Sequence, residues 1–369
     1  MSEGTPHLQK LPSDFAQIPI VWRYELLKYL RSWRLIASIA ISVAMLALIY
    51  LLPPLLGTSY NGTDTNERLY VVSPDFLGQI IPIPNPPESI GFINRSSIDL
   101  DTLVVYIDGH STPSNGGANW SVTRLTYQGA SIYTVFFPQN MSGHLVAASY
   151  DWYTAPDAFA SLFLGFGSFL IVIGATLFGA DALAGEFQNR TGYLMFPTPM
   201  KRWVLFFGKY AASLTATLFV IGLFYAGVAG LSAISANGID DDFGLSFAYA
   251  VEYTLAALAI AYFISSIMKG TTGATVLTFL LFIIILPIVD SVGLFAGVKV
   301  EASLSFASGI ITSILIDPYP TDWSQEFTGG FSVSVFYPTP WIAAVVMFVY
   351  VVVAIALSLI IFRRKQLTG

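Results

Sequence analysis

The chain has 369 residues, of which 54% are apolar and only 11% charged, with a net charge of −6 and a mean hydropathy of +0.66. Soluble domains are close to half apolar and a quarter charged, so this balance excludes a soluble globular protein and places the chain in a membrane. Cysteine is absent, so an exported portion must hold together through its own core or its contacts with the membrane part, without disulfides.

In chain order, residues 1–34 form an N-terminus with an amphipathic segment from Phe15 to Trp33. Phe15, Ile18, Val21, Trp22, Leu26, Leu27, Tyr29, Leu30 and Trp33 recur at helical spacing, and Arg23, Lys28 and Arg31 make the polar side. A basic helix of this kind lies along the inner headgroups, with membrane lipid as its partner, as an anchor or as a lever toward a soluble partner. A first span follows over 35–52. It is too long for a signal-peptide apolar region and lacks a small-residue cleavage site.

Residues 53–157 read as a β-rich domain. Strand-like runs at Leu69–Val72, Thr102–Ile107, Ser121–Tyr127, Ile132–Phe137 and His144–Tyr150 are separated by Pro, Gly and Asn turns. Four N-x-S/T acceptors fall here, at Asn61, Asn94, Asn119 and Asn140, and mark a surface able to carry N-glycans or, failing that, plain polar turns. A fifth, Asn189, falls on the opposite side of the membrane. Region 158–289 holds four further apolar runs, Ala158–Ala180, Tyr210–Ile234, Leu245–Met268 and Thr271–Val289, each near the ~20 residues that cross ~30 Å of hydrocarbon. Residues 290–339 form an extracellular segment in which Leu304–Ile316 is apolar but short for a span, as a re-entrant element would be. Residues 340–369 contain the last span, Pro340–Phe362, and a basic tail.

Basic residues set the orientation. Placing both termini, the loop between the second and third spans and the turn after the fourth span in the cytoplasm puts 13 of the 17 Lys and Arg inside, leaving Arg68, Arg95, Arg124 and Lys299 outside. The expected fold is an all-α polytopic membrane protein of six transmembrane helices, with a β-rich extracellular insertion after the first span.

The informative loop runs over 181–202. Asp181 and Glu186 stand near a helix C-terminus, where carboxylates gain nothing from the helix dipole. Either they pair with Arg190 and the Lys201-Arg202 couple, or they meet groups on a docked subunit. Thr191-Gly192 breaks the helix, Tyr193–Phe196 offers a short apolar face, and Pro197-Thr198-Pro199 prevents continuation.

Glu186, Arg190, Thr191, Gly192, Leu194, Pro197, Pro199, Lys201, Arg202, Gly208 and Lys209 together resemble the coupling segment of permease subunits of type 2 ATP-binding-cassette exporters. The amphipathic N-terminal helix, six spans and cytoplasmic termini are similar too. The resemblance implies docking of a soluble nucleotide-binding ATPase subunit on Asp181, Glu186, Arg190, Thr191, Gly192, Pro197, Pro199, Lys201 and Arg202. It also implies a second permease copy or paralogue, with ATP clamping the soluble subunits and rocking the spans to export cargo.

The residues themselves agree on what is missing. No G-x-x-x-x-G-K-[ST] loop occurs, so ATP and Mg belong to the partner and no cofactor to this chain. Three histidines (His7, His110, His144) without cysteine supply no catalytic or metal site, and the Asp240–Asp242 triplet reads as a solvated turn. The chain is therefore no enzyme itself, and nothing in it reads nucleic acid. Glu252 and Asp290 lie toward the outer ends of spans, which disfavours a carrier with a midplane carboxylate. Spans rich in aromatic, small and hydroxylated residues suit an apolar or amphipathic cargo: a lipid, a hydrophobic peptide or a drug-like compound. An ATP-independent carrier or channel, and a non-transporting glycoprotein presenting its outer domain, are the alternatives. The location is the plasma membrane, and acceptor asparagines without cysteine point to an archaeal surface.

Overall fold

The computed structural model describes residues 13–73, 87–93, 95, 97–127, 130–188, 201–327 and 331–364. Helix α1 (Asp14–Leu30) opens the chain, with Asp14 in its first turn and Lys28 in its last, each sign suited to its end of the helix dipole. A short bend at Arg31-Ser32 leads into α2 (Trp33–Leu55), the first helix of spanning length. Pro53 and Pro54 lie in its last turn, and Gly57, at a φ of +80°, takes the left-handed conformation that turns the chain out of the helix.

Two antiparallel four-stranded sheets follow. Strands β1 (Asn61–Arg68), β4 (Val104–Ile107), β5 (His110–Thr112) and β8 (Val146–Tyr153) pair in the order β1-β8-β4-β5. Strands β2 (Tyr70–Val72), β3 (Ser89–Ile93), β6 (Ser121–Tyr127) and β7 (Ala130–Phe137) pair in the order β2-β3-β7-β6. Leu69, Ile93, Val105, Trp120, Val135, Phe137, Val146, Ala148 and Tyr150 are buried in one core shared by both sheets, so the unit is a sandwich with its own interior. Of the expected runs, Ser121–Tyr127 forms as read and the others shift by a few residues. Strands β1, β3 and β5 are additions: β1 reads NGTDTNER, without any apolar alternation to announce it.

The sandwich is tied to the helices at its base. Tyr60 stacks on Tyr50 with ring centres 5.5 Å apart, meets Phe159 edge-on at 5.0 Å, and donates its hydroxyl to the Ile49 carbonyl at 2.8 Å.

The second span is two helices, α3 (Pro156–Leu164) and α4 (Gly167–Phe178), interrupted at Gly165-Phe166. A tight elbow carries the chain to the five-residue α5 (Ala184–Gln188). Helix α6 (Arg202–Ser235) has 34 residues, roughly 51 Å at 1.5 Å per residue, and so exceeds the hydrocarbon thickness by two to three turns. Its start at Arg202 corrects the expected start at Tyr210: Lys201 is its N-cap, and Arg202 belongs to the long helix rather than to a separate transverse element.

Helix α7 (Phe243–Ile267) is the most enclosed of the six candidate spans, with buried small residues on several faces, Ala250, Ala256, Ala257, Ala259 and Ala261, that admit its neighbours closely. The fifth span joins α8 (Thr271–Leu280) to α9 (Leu286–Phe295) through a π-helical turn over Leu281–Ile285. The apolar stretch beyond it forms two short helices, α10 (Leu304–Ser308) and α11 (Ile310–Ser313), whose Leu304, Ala307, Ile310 and Ile311 pack into the bundle's own core. A hairpin of β9 (Trp323–Phe327) and β10 (Phe331–Val335) follows, where only a charged return to solvent was expected. Helix α12 (Pro340–Arg364) closes the chain and buries Ala343, Met347, Ala354, Ser358 and Phe362 at helical spacing.

Among the described residues, six stretches are long and apolar enough to cross a membrane: α2, α3–α4, α6, α7, α8–α9 and α12.

Candidate functional site: a buried charge lock beneath the inter-span segment

Helix α1 packs along α6, and a glycine makes this possible. A side-chain carbon on Gly208 would sit 2.6 Å from Val21 and 3.3 Å from the Ile18 carbonyl oxygen, so no larger residue fits this crossing. The stripe of α1 that faces inward is Ile18, Val21, Trp22, Glu25, Leu26 and Tyr29, an apolar row with one carboxylate in it. Glu25 is only 2% exposed.

Lys209, one residue beyond that glycine, answers this carboxylate. Its Nζ lies 2.6 Å from Glu25 Oε1 and 2.7 Å from Glu186 Oε1, and the lysine is 1% exposed. One ammonium thus bridges α1, α5 and α6 out of water. Two carboxylates around one cation would leave a net negative charge, but Lys28, at 3.6 Å from Glu25 Oε2, brings a second cation from the solvent side. Beside it Arg34 Nη1 meets Asp181 Oδ2 at 2.6 Å, joining the start of α2 to the elbow before α5. The whole cluster is balanced, three acids against three bases. Desolvation makes such a lock a poor source of net stability, yet removing one member is strongly unfavourable, so its effect is to fix one arrangement of the three helices.

A second layer of hydrogen bonds lies just deeper. The Tyr29 hydroxyl and the Ser213 hydroxyl both donate to the Phe178 carbonyl, at 2.9 and 2.8 Å, and Ser213 shares a further bond of 2.8 Å with Tyr262. Burial pushes the Tyr29 phenol up to about 12, so it stays a donor at any physiological pH. Ser358 of α12 donates to the Tyr262 carbonyl at 3.0 Å. Helix α1 is therefore connected through side chains to the ends of four spans.

Short α5 is held at both ends. The Leu183 and Ala184 N–H groups donate to Ser265 Oγ of α7, at 3.1 and 3.0 Å, so a side chain from another span caps its N-terminal end. Gln188 Oε1 accepts from both the N–H and the hydroxyl of Thr271, at 2.7 Å each, and so caps the start of α8. A displacement of α5 is thereby passed to α1, α6, α7 and α8 together.

Of the sequence-derived coupling residues, Asp181 and Glu186 lie in this cluster. Asp181 meets Arg34 and Glu186 meets Lys209, while Lys201 Nζ meets Asp14 Oδ2 at 2.5 Å and Arg202 donates to the Arg363 carbonyl at 2.9 Å; the expected pairing with Arg190 lies outside the described residues. Arg190, Thr191, Gly192, Pro197 and Pro199 lie outside the described residues, as do Asn189 and Asn94. Asn61, Asn119 and Asn140 all lie on the sandwich. Sequence reading missed Glu25 and the role of Lys209. The available signal was a carboxylate on the apolar stripe of α1, at a position where Ile18, Val21 and Tyr29 are its helical neighbours.

Among the described residues no cluster of His, Cys, Asp and Glu could hold a metal ion. Asp240 Oδ1 accepts the Asp242 N–H at 2.9 Å in a turn before α7. The family model for ABC-2 family transporter proteins matches residues 19–367, from within α1 to beyond α12. No curated protein matches the chain.

Proposed function

This chain belongs to the ABC-2 family of transporter proteins and is a permease subunit of an ABC system, a class that works with an ATPase; from that premise we propose that it forms half of an export path and receives its power stroke through 181–202. The observation that carries the proposal is the lock of Glu25, Lys209 and Glu186. It joins the segment entering the inter-span loop to the interfacial helix and to the third span, with the two partners in different elements and all three side chains out of water.

In this reading residues 189–200 meet the soluble nucleotide-binding subunit in the cytoplasm, where both termini also lie. ATP and Mg are held by that subunit, and this chain binds neither. Closure of the ATPase pair shifts α5, and the ties from Glu186, Leu183, Ala184 and Gln188 carry the shift into four helices at once. A second permease copy or paralogue completes the path. In support, the buried tyrosine hydroxyls of this chain are satisfied internally: Tyr210 donates to the Leu255 carbonyl at 2.8 Å, Tyr225 bonds Ser246 at 3.1 Å, and Tyr262 bonds Ser213. With these hydroxyls engaged, cargo in this reading passes along outer faces between two chains. Those faces are apolar, with Val276, Ile284, Ile288 and Val292 exposed on the fifth span, as an apolar or amphipathic substrate requires.

The chain's lack of cysteine makes the test direct. Tyr193→Cys, the sole thiol, should crosslink to the ATPase subunit in inverted vesicles and resist a membrane-impermeant maleimide applied to intact cells. Labelling of that thiol from the outside of intact cells overturns the proposal.

A further inference from the structure

We propose that, of the three N-x-S/T acceptors among the described residues, Asn140 is the one the sandwich presents for N-linked glycosylation, and that the fold closes Asn61 and Asn119 to it. In the cell this rests on the outward placement of the sandwich; the acceptor geometry does not.

The loop between β7 and β8 is shaped around Asn140-Met141-Ser142. Its middle residue is the anchor: Met141 is 5% exposed in the sandwich core, and its N–H donates to Ser89 Oγ at 2.9 Å. Asn140 and Ser142 on either side are exposed. Asn140 Oδ1 accepts the Ser142 N–H at 2.8 Å, an Asx turn that draws the hydroxyl-bearing residue back toward the amide. Among the described residues nothing takes the Asn140 Nδ2, so the nitrogen that must react points into solvent beside the serine. The far end of the loop is pinned as well, since Leu145 N–H donates to Asp108 Oδ1 at 2.9 Å and His144 Nδ1 meets Asp108 Oδ2 at 2.7 Å. The acceptor is thus presented on a fixed turn rather than on a loose one.

The other two described acceptors are occupied. Asn119 Nδ2 donates to the Pro113 carbonyl at 2.7 Å, and the neighbouring Trp120 is anchored by its Nε1 on the Thr112 carbonyl at the same distance, so this asparagine braces a turn. Asn61 opens strand β1 and pairs with Tyr153; its extended backbone is committed to the ladder and cannot form the turn. Its Nδ2 also faces the Ser235 carbonyl at the end of α6, just beyond the end of α2, where the bilayer limits approach.

The step itself is a glycosyl transfer. The Asn140 Nδ2 attacks C1 of a sugar carried on a polyprenyl phosphate or pyrophosphate, the new N–C bond replaces the C1–O bond, the phosphate leaves on its lipid, and the transferase takes the amide proton.

The test uses the full chain, made in a host without glycosyl transfer and purified in detergent, so that both faces are accessible and membrane orientation plays no part. It is incubated with an oligosaccharyltransferase that accepts N-x-S/T and a polyprenyl-linked glycan, and sites are mapped by mass spectrometry. Freeing the Asn119 amide breaks one hydrogen bond, so Asn140 should be modified with about a tenfold preference or more over Asn119 and Asn61. Modification at Asn140 should vanish in Asn140→Gln and in Ser142→Ala, both exposed changes that leave the melting midpoint unchanged. Comparable modification of Asn61 or Asn119 in the folded chain, or a bare Asn140, overturns the proposal. An inward-facing sandwich would instead show as acceptance in detergent with no glycan on the protein from a glycosylating host.

Discussion

Replacing Lys209 with Met keeps the length of the side chain and removes its charge, leaving Glu25 and Glu186 facing one another, 2% and 7% exposed, with no cation between them. Breaking a buried pair by removing one partner costs about 3–5 kcal/mol, since the remaining charge has lost both water and partner. Here two carboxylates lose the cation they share, and Lys28, 64% exposed at its side chain, stands 3.6 Å from Glu25. For chains of moderate size each kcal/mol moves the melting midpoint by roughly 2–4 °C, so a drop of several degrees is expected in detergent or nanodiscs. The companion variant Glu25→Gln/Glu186→Gln/Lys209→Met removes every charge of the lock at once. It should recover most of that loss, because well-packed neutral replacements of buried ion pairs are close to neutral in stability. The readout that separates a lock from a filler is coupling: with the ATPase bound, the triple variant should hydrolyse ATP without transport, stable but disconnected. A Lys209→Met chain that melts with the wild type, or a triple variant that transports normally, refutes the reasoning.

Gly208→Val places a side chain where a single carbon already sits 2.6 Å from Val21, so α1 must lift off α6, at an overpacking cost of about 1–3 kcal/mol seen as a lower melting midpoint. Ser265→Ala removes the acceptor of two N–H groups and should cost about 1–3 kcal/mol; faster amide exchange at Leu183 and Ala184 is the measurement, and unchanged exchange excludes the cap. Arg34→Asp should weaken transport, and the swap Arg34→Asp/Asp181→Arg should restore it, while stability moves by under about 1 kcal/mol because Arg34 is 44% exposed. On the sandwich, the hydrogen bond from His144, with that from the Leu145 N–H, holds the Asp108 carboxyl below its usual range. A depressed carboxyl contributes its stabilisation fully above the ordinary value of about 3.9 and loses it as pH falls through the lower folded value, so the pin on this loop weakens on the acid side of the ordinary carboxylate range. His144→Gln should move the Asp108 titration upward in carboxyl carbon NMR, and an unmoved titration removes that bond as the cause.

The spans were legible because crossing a bilayer demands a length of apolar sequence that little else explains; the edges of α2, α7 and α12 fall within a few residues of the expected ones. Strands were readable where burial imposed a pattern, as in β7, where Tyr133, Val135 and Phe137 are buried at every second position, and unreadable in β1, which is held by pairing with β8 and by its position rather than by apolar content. The hairpin of β9 and β10 escaped for a similar reason, with Pro318, Pro320, Asp317 and Asp322 in its approach and Glu326 within β9. The lock was illegible for a different reason. Lys209 and Glu25 stand 184 positions apart, and a lysine at the start of a span looks like any other positive charge at a membrane surface until the helix that covers it is in place. The Lys201-Arg202 couple misled in the opposite sense: opposite charges within one loop, at Asp181 and Glu186, suggested a local pair, but the geometry sends Lys201 to Asp14 and Arg202 to the last turn of α12.

Those two destinations have a mechanical consequence. The stretch between α5 and α6 is moored at both banks, upstream by Glu186 through Lys209 to Glu25 and downstream by Lys201 to Asp14, and both moorings end on α1. In the proposed coupling, a load applied between them reaches α1 at two places, near Asp14 and near Glu25, in addition to what α5 passes to α6, α7 and α8. A rod held at two separated points turns under unequal loads more readily than it slides, while Arg202, next to Lys201, is tied to the Arg363 carbonyl of α12.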